Sequence, residues 1–200
     1  MQIDTAPIKN KQRIYIGGTR GVEEIFDLCQ LVVNHVGKEV DFYSIGEETN
    51  FTDAPVIIIK GGDEKADGKP YFHDLDLHIL LIHRIGERLP AGYQSFDEVV
   101  LEYEKLADQL PKAGSLVYFE DDHVATMIGK KEREDVKSFE YKALKCKQTD
   151  DGFIFEPGDE HIVIRTDNEG FPNHAAGAKM LLGRIGISKK QFYSALKTLA

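Results

Sequence analysis

A short apolar strand that runs into a glycine-rich turn and then an amphipathic helix constrains the fold most strongly. Ile14, Tyr15 and Ile16 supply the strand, and the turn spans residues 17–21. Apolar side chains then recur at helical spacing over residues 22–36, and Gly37 follows as a helix-ending residue. Backbone N–H groups at such a turn, with the positive end of the helix dipole, form an anion site. The segment therefore predicts the architecture of a phosphate-binding loop.

The loop lacks the side chains that phosphate binding requires. A working loop carries Lys where this chain has Val22, and Ser or Thr where it has Glu23. The Lys contacts the phosphates and the hydroxyl holds Mg²⁺. Glu23 and Glu24 instead place two negative charges where a polyphosphate would lie, and like charges at short range repel.

The charge and hydropathy of the chain argue against two classes of partner. Its 200 residues carry a formal net charge of −9, whereas nucleic acids and anionic membranes bind basic surfaces. No apolar run approaches the roughly 20 residues of a membrane span. We therefore expect neither nucleic acid nor membrane as a partner.

Residues 1–12 are predicted to form a loose arm ahead of one domain over residues 13–200. The arm is polar and lacks the apolar stretch of a signal peptide. Cys29 and Cys146 lie far apart and form no Cys-x-x-Cys motif, which favours inert, reduced thiols. These features together predict a cytoplasmic protein.

Strands that alternate with helices predict an α/β fold. The expected strands cover residues 14–16, 40–45, 56–59, 77–82 and 115–119, and the expected helices cover 22–36, 95–110, a short stretch ending near 128, 173–184 and 188–199. Ser95 and Ser188 each begin a capping-box pattern at a helix start. The order implies a mostly parallel sheet of the type that carries phosphate-binding loops, flanked by helices, with ligands at the carboxyl ends of its strands.

The segment near residues 138–166 has a different pattern. Strand-like runs over 139–146, 152–156 and 161–165 are separated by turn sequences, without an intervening helical pattern. We expect a small antiparallel sheet at the edge of the main one.

Several segments, read in order, resemble a known family. The loop is Gly17-Gly18-Thr19-Arg20-Gly21-Val22-Glu23-Glu24, the next apolar strand ends at Lys60, another leads into residues 83–87, and Asn173 precedes a C-terminal helix. In this order they resemble the central, ATP-binding domain of the Mur ligases, the amino-acid ligases of peptidoglycan synthesis. The muramate:alanine ligase and its murein-peptide recycling relative are the most similar in character. The family's loop reads Thr-Gly-Thr-x-Gly-Lys-Thr-Thr.

The departures from the family pattern concern its charged catalytic groups. The resemblance implies a Lys at Val22, a Thr at Glu23, a magnesium-binding Glu at Lys60 and an Asp-His pair near Gly86 and Glu87. The family uses ATP to convert a carboxylate to an acyl phosphate, which an amine then attacks. Phosphoryl transfer depends on positioning and charge neutralisation, so losing all of these groups leaves little catalytic power.

The resemblance also implies which residues lie around the former active site. Gly17, Gly18, Thr19, Arg20, Gly21 and Asn173 would form a vestigial nucleotide site, and Glu23, Lys60, His83, Arg84 and Glu87 would line the old cleft. Arg20 and Lys60 have two open interpretations: they attract an anion at the cleft, or they form salt bridges with Glu23, Glu24 or Asp63.

Two functional hypotheses follow from the resemblance. The first is a stand-alone, non-catalytic binding protein that uses no cofactor and associates with a cell-wall ligase or with itself. The alternative is an ATP-binding subunit of a peptidoglycan-precursor amino-acid ligase, which needs ATP, Mg²⁺ and a partner chain. The resemblance covers residues 13–200, so the family's domains for the UDP-sugar and for the incoming amine are expected to be absent.

Two further clusters of polar residues have a simpler structural interpretation. His73-Asp74-x-Asp76-x-His78 contains plausible metal ligands, but a polar lead-in to the buried strand is the favoured interpretation. A small hydrolase that uses the cluster from His73 to His83 is a third hypothesis, but it has no supporting nucleophile motif. Asp121-Asp122-His123 is typical of a helix start, where carboxylates complement the dipole. We predict no metal site.

Overall fold

The elements are those of a layered α/β domain, and the computed structural model describes residues 5–86 and 88–199. In chain order they are β1 (Gln12–Gly17), α1 (Val22–Val36), β2 (Asp41–Ser44), β3 (Val56–Lys60), β4 (Lys65–Ala66), β5 (Lys69–Pro70), β6 (Ile79–Ile82), α2 (Phe96–Asp108), β7 (Ser115–Phe119), α3 (His123–Lys130), β8 (Lys137–Tyr141), β9 (Cys146–Thr149), β10 (Gly152–Phe155), β11 (Ile162–Arg165), α4 (Phe171–Arg184) and α5 (Lys189–Leu196). Short 3₁₀ turns cover Ala6–Ile8, Tyr71–Asp74 and Lys197–Leu199. None of the helices in the described ranges is long and apolar enough to cross a bilayer.

The main sheet is parallel throughout, which confirms the predicted fold class. Within the described residues it has six strands in the order β2-β3-β1-β6-β7-β8. After β1 the chain builds one side of the sheet with β2 and β3, then crosses to build the other side from β6 onward. β1 therefore lies where the strand order reverses, and the carboxyl ends of its neighbours meet in a crevice above it.

Side chains of β1 alternate between the two faces of the sheet, so this strand contributes to the core on each side. Ile14 and Ile16 are fully buried in a core formed with α1, α4 and α5. Tyr15 points to the opposite face, where it is 1 % exposed in a core formed with α2 and α3. Successive side chains of a strand point to opposite faces, so an all-apolar strand needs helices on both sides.

The segment near residues 138–166 divides between two sheets. The predicted antiparallel sheet is present as β9, β10 and β11. The first predicted strand, over 139–146, is not one element: β8 pairs parallel with β7, and Phe119 lies opposite Tyr141. The chain breaks after β8 because buried Leu144 donates its N–H to the Pro172 carbonyl on α4, 3.0 Å away. The helix α3 supplies the crossover that a parallel pairing requires.

The segment predicted as a loose arm is packed over the part that the structure describes. Ile8, in the first 3₁₀ turn, is 1 % exposed, and Lys11 is buried. Lys11 Nζ lies 3.0 Å from Asp41 Oδ2 and donates to the carbonyls of Thr52 and Ala54. A buried ammonium with three oxygen partners satisfies all of its donors, so this segment is anchored to the edge of the sheet. Residues 1–4 lie outside the described ranges.

The helix ends follow the predicted signals with one difference. Gly37 has φ 69° and its N–H bonds the Val33 carbonyl, as at a glycine C-cap. Ser188 and Gln191 form a reciprocal capping box at α5. At α2 the Ser95 hydroxyl accepts from the Glu98 N–H, but the Glu98 carboxylate accepts from Gln94 N–H and pairs with Lys65. Only half of the predicted box at Ser95 is therefore formed within the described residues.

Close packing of α3 on β7 gives a test of this fold. Gly129 is buried on α3, and a Cβ there would overlap the Tyr118 ring, whereas a Cβ at Gly183 of α4 meets nothing within 4 Å. We expect Gly129→Ala to lower the free energy of unfolding by about 1–3 kcal/mol through overpacking. The matched control Gly183→Ala should leave it unchanged or raise it by up to about 1 kcal/mol through helix propensity. Urea unfolding of both variants measures this, and equal effects would contradict the packing described.

Candidate functional site

The glycine-rich turn between β1 and α1 borders a cleft at the carboxyl edge of the sheet, as the sequence predicts for the loop. We call this cavity of about 410 Å³ the loop cleft. Its walls come from the turn, the start of α1, the end of β2 and the segment after β3. The lining residues are Tyr15, Ile16, Gly18, Thr19, Arg20, Gly21, Val22, Glu23, Glu24, Ser44, Ile45, Lys60, Gly61, Gly62, Asp63, Glu64 and Arg88.

Two backbone N–H groups of the turn are bonded within the protein. Gly18 N–H donates to the Tyr103 hydroxyl at 2.8 Å, and Thr19 N–H donates to the Arg84 carbonyl at 2.7 Å. The Thr19 hydroxyl also bonds the backbone of Gly86, whose N–H donates to it at 3.0 Å. An anion-binding loop uses such N–H groups to hold phosphate oxygens. The turn is instead fastened to α2 and to the segment after β6.

A salt bridge joins the start of α1 to the end of β3 across the cleft. The Lys60 ammonium pairs with the Glu23 carboxylate and lies 4.8 Å from the centre of the Phe26 ring. The Lys60 side chain is 11 % exposed, whereas that of Glu23 is 63 % exposed. Of the two interpretations left open for Lys60, the structure therefore has the salt bridge. The Lys60 ammonium is neutralised by Glu23.

A second carboxylate borders the same cleft with fewer partners. Asp63 is 7 % exposed, and its Oδ2 has no hydrogen-bond partner among the described residues. Asp63 forms an ion pair with Arg88, whose Nη2 lies 3.5 Å from that oxygen. Burial raises the pKa of Asp63, Glu64 raises it further and Arg88 lowers it.

His83 lies beneath the turn and does not line the cleft. It is fully buried, its Nδ1 is 2.7 Å from the Tyr141 hydroxyl, and its ring packs on Phe119 with centroids 4.8 Å apart. Burial, and then the charges of His174 and Arg84, lower the pKa of His83 to about 3. The imidazole is therefore neutral at physiological pH. It acts as a packing and hydrogen-bonding group below the turn.

Glycine is required at position 21 because two imidazoles lie against it. Gly21 has φ 78°, and a Cβ there would be 2.7 Å from Nε2 of both His83 and His174. The Nε2 atom of His83 has no hydrogen-bond partner within the described ranges. The turn thus closes tightly over the histidine pair.

A second cavity lies on the other side of Arg20, between the turn and the start of α4. We call this space of about 510 Å³ the α4 cavity; it is lined by Arg20, Glu24, Arg84, Asp167, Asn168, Glu169, Gly170, Asn173 and His174. The predicted residues Arg20, Arg84 and Asn173 therefore meet here, with Asn173 in the first turn of α4. His174 Nδ1 is 3.4 Å from Asn168 Nδ2. Burial lowers the pKa of His174. The negative charge of Glu24 raises it, and the positive charges of Arg84 and Arg20 lower it further.

The predicted site residues thus divide between two cavities and the layer below them. Gly18, Thr19, Gly21, Glu23 and Lys60 line the loop cleft. Gly17 lies at the end of β1, and its carbonyl accepts from His83 N–H. Glu87 lies outside the described residues.

The sequence patterns do not single out Tyr103, Asn168, His174 or Arg88 as site residues. Tyr103 occupies an ordinary core position on α2, and only its contact with Gly18 links it to the turn. His174 follows Asn173 directly, so its position beside a motif residue was a usable signal.

The remaining clusters are used in structural contacts. His73 pairs with Glu102 at 2.7 Å, whereas His78 Nδ1 accepts from Arg13 N–H, so the two histidines have different surroundings. Asp122 caps α3 by accepting from Ala125 N–H at 2.8 Å, as predicted for a helix start. Over the described residues, no group of three or more His, Cys, Asp or Glu could hold a metal ion.

Three solved structures with the same arrangement of elements belong to longer chains. A murein peptide ligase from Psychrobacter arcticus matches with a TM-score of 0.73 and 13 % identity, over 96 % of this chain and 48 % of its own. A UDP-N-acetylmuramate:L-alanyl-gamma-D-glutamyl-meso-diaminopimelate ligase from Neisseria meningitides matches with a TM-score of 0.74 and 11 % identity, over 96 % and 67 %. A folylpolyglutamate synthase from Mycobacterium tuberculosis, complexed with ADP, matches with a TM-score of 0.72 and 8 % identity, over 98 % and 59 %.

These similarities lie in the structure and not in recognisable sequence. No protein-family model matches the sequence, and no curated protein matches it. The chain spans about half the length of the Psychrobacter ligase, and identities this low establish the fold alone. The chain therefore has the fold of the central domain of the Mur ligases.

Proposed function

We propose that this Mur-ligase-like domain acts by binding, in a process related to peptidoglycan synthesis, and does not carry out ATP-dependent ligation. The salt bridge between Glu23 and Lys60 is the observation that carries the proposal. In the family pattern these two positions hold a Thr and a Glu that bind magnesium. Here an ammonium on β3 and a carboxylate on α1 neutralise each other, which supports the loss of a magnesium site.

The state of the turn supports the same conclusion. Gly18 and Thr19 direct their N–H groups to Tyr103 and Arg84, so the turn offers fewer donors to a phosphate. Val22 has no charge with which to neutralise one. Glu24, Asp63 and Glu64 also line the cleft, and their charges would repel a polyphosphate.

We also infer a protein partner for the domain and a cellular compartment in which it works. A domain that works by association needs a protein or a small molecule to bind, and we infer a cell-wall ligase or a second copy of the chain as the protein partner. We place it in the cytoplasm and expect it to need no cofactor. Cys29 and Cys146 are both unpaired, which supports a reducing environment.

An alternative proposal is that the domain is the ATP-binding subunit of an amino-acid ligase that a partner chain completes. The retained glycine turn and a cleft of about 410 Å³ favour it. In this alternative Lys60 would have to leave Glu23 and provide the positive charge that Val22 lacks.

Titration of ATP with Mg²⁺ into the purified protein separates the two proposals. We expect no binding heat from the wild type, because magnesium and phosphate would meet a neutralised ion pair and a carboxylate-rich cleft. The comparison protein is the triple variant Val22→Lys/Glu23→Thr/Lys60→Glu, which restores the family residues at all three positions. We expect calorimetry to detect binding to that variant.

The possible outcomes lead to different conclusions. Saturable binding of ATP by the wild type, abolished by adenine-nucleotide competition, would overturn the non-catalytic proposal. If neither protein gives binding heat, the turn itself, held by Tyr103 and Arg84, blocks the phosphate position. Adding Tyr103→Phe to the triple variant then releases the Gly18 N–H and tests that explanation.

A double-mutant cycle tests whether the ion pair is structural. Glu23→Gln leaves the mostly buried Lys60 ammonium unpaired, and we expect it to lower the free energy of unfolding by about 1–2 kcal/mol, since Glu23 is largely exposed. Lys60→Met keeps the apolar stem, and the double variant should regain most of the loss. Glu24→Gln is the matched control for charge at the helix start. Additive effects in urea unfolding would show that the pair contributes nothing.

A further inference from the structure

We propose that the loop cleft binds a small molecule that carries a primary ammonium group, with Asp63 as the carboxylate that anchors it. This rests on the proposed function, because ATP and such a ligand would compete for the same space. It adds to that function the chemical class of the ligand.

The first argument is the unsatisfied oxygen of Asp63. The residue is 7 % exposed, and its Oδ2 forms no hydrogen bond within the described residues. A buried acceptor without a donor is costly, and the cost is greater for a charged group. Asp63 lines the cleft, so a ligand with N–H donors that displaces Arg88 from this oxygen would remove that cost.

The groups behind Asp63 offer it no positive charge. Tyr15 and Tyr103 lie fully buried on that side, and burial raises the pKa of both hydroxyls, with the charge of Asp63 raising it further. The Tyr15 hydroxyl donates to the Gly61 carbonyl at 2.7 Å, and Tyr103 accepts from Gly18. Asp63 also has a stabilising hydrogen bond to its own backbone, so positive charge for its carboxylate has to come from Arg88 or from a ligand in the cleft.

The charges around the cleft favour a cation over an anion. Glu23 and Lys60 neutralise each other, which leaves the carboxylates of Glu24, Asp63 and Glu64 and the guanidinium groups of Arg20 and Arg88 along the cleft. Carboxylates therefore still outnumber cations there. Metal ligation is not supported, since no cluster of three metal-binding side chains occurs in the described part of the chain. An ammonium needs only hydrogen-bond acceptors, and it provides three donors together with a full charge.

The shape of the cleft favours a small, partly apolar ammonium compound. Its volume of about 410 Å³ is within the range of small-molecule sites. Val22 and Ile45 supply apolar wall in the same cleft, where a short alkyl chain can pack. The ligand class is therefore an alkylammonium.

Arg88 acts as an internal competitor for the anchoring carboxylate. Its Nη2 is 3.5 Å from Asp63 Oδ2, too long for a hydrogen bond of normal strength, and its side chain is 59 % exposed. An incoming ammonium can displace it at little cost. Removing the guanidinium should therefore strengthen ligand binding, whereas removing the carboxylate should weaken it.

Titration of butylammonium chloride into the full-length, ¹⁵N-labelled protein tests the proposal by NMR. We expect saturable shifts of the Gly61, Gly62 and Asp63 amides in the wild type. Asp63→Asn should raise the dissociation constant about tenfold or more, as expected for loss of one charge-assisted hydrogen bond. Arg88→Gln should lower it about two- to fivefold, as expected when an exposed ion pair no longer competes.

Two controls separate this site from general attraction to an acidic protein. Tetramethylammonium has the same charge and no N–H group, so its shifts should be weaker and should respond less to Asp63→Asn than those of butylammonium. Asp53→Asn removes an exposed carboxylate outside the cleft and should leave butylammonium binding unchanged.

The outcomes are distinguishable from failure of the proposed function. Equal affinity in the wild type and Asp63→Asn, equal effects of the two ammonium probes, or no binding even to Arg88→Gln would each overturn the ammonium site. Those results together with silence towards ATP would leave the non-catalytic proposal standing. If Asp63→Asn does not fold, the comparison of Arg88→Gln with the wild type still decides, because Arg88 is largely exposed.

Discussion

The structure depends on a central strand that is buried on both faces. Ile14 and Ile16 of β1 join one core, and Tyr15 joins the other, so helices on both sides are held to one strand. The same strand ends at Gly17, directly below the turn. The position of the turn is therefore set by the packing of both cores, whatever chemistry its side chains perform.

Groups of the chain itself form hydrogen bonds and an ion pair around that turn. Tyr103 and Arg84 accept from the N–H groups of Gly18 and Thr19, and Lys60 pairs with Glu23. These contacts stabilise the turn without a ligand. Among the described residues that line the loop cleft, Asp63 keeps one carboxylate oxygen without a hydrogen bond.

Much of the fold is predictable from local patterns, and the errors have identifiable causes. The turn, α1 and the central apolar strands follow from periodicity and glycine position, and their order implies a parallel sheet. The prediction that residues 139–146 form an antiparallel strand is wrong. The mostly exposed strand at residues 137–141 has a polar pattern that is compatible with either sheet, and its parallel pairing with β7 assigns it to the main one. The packing of residues 5–12 depends on Lys11 reaching Asp41, a contact between distant parts of the chain.

The sequence by itself determined the identity of the residues at the loop positions, the excess of acidic charge and the order of elements. These are local properties, readable from residue type and spacing. Only the tertiary structure decided that Lys60 pairs with Glu23, that His83 lies beneath the turn and that Asn173 faces a separate cavity. It also decided that Asp63 is buried without a hydrogen bond to one oxygen. The physical reason is that hydrogen bonding, desolvation and charge pairing depend on distances between residues far apart in the chain, which no local pattern encodes.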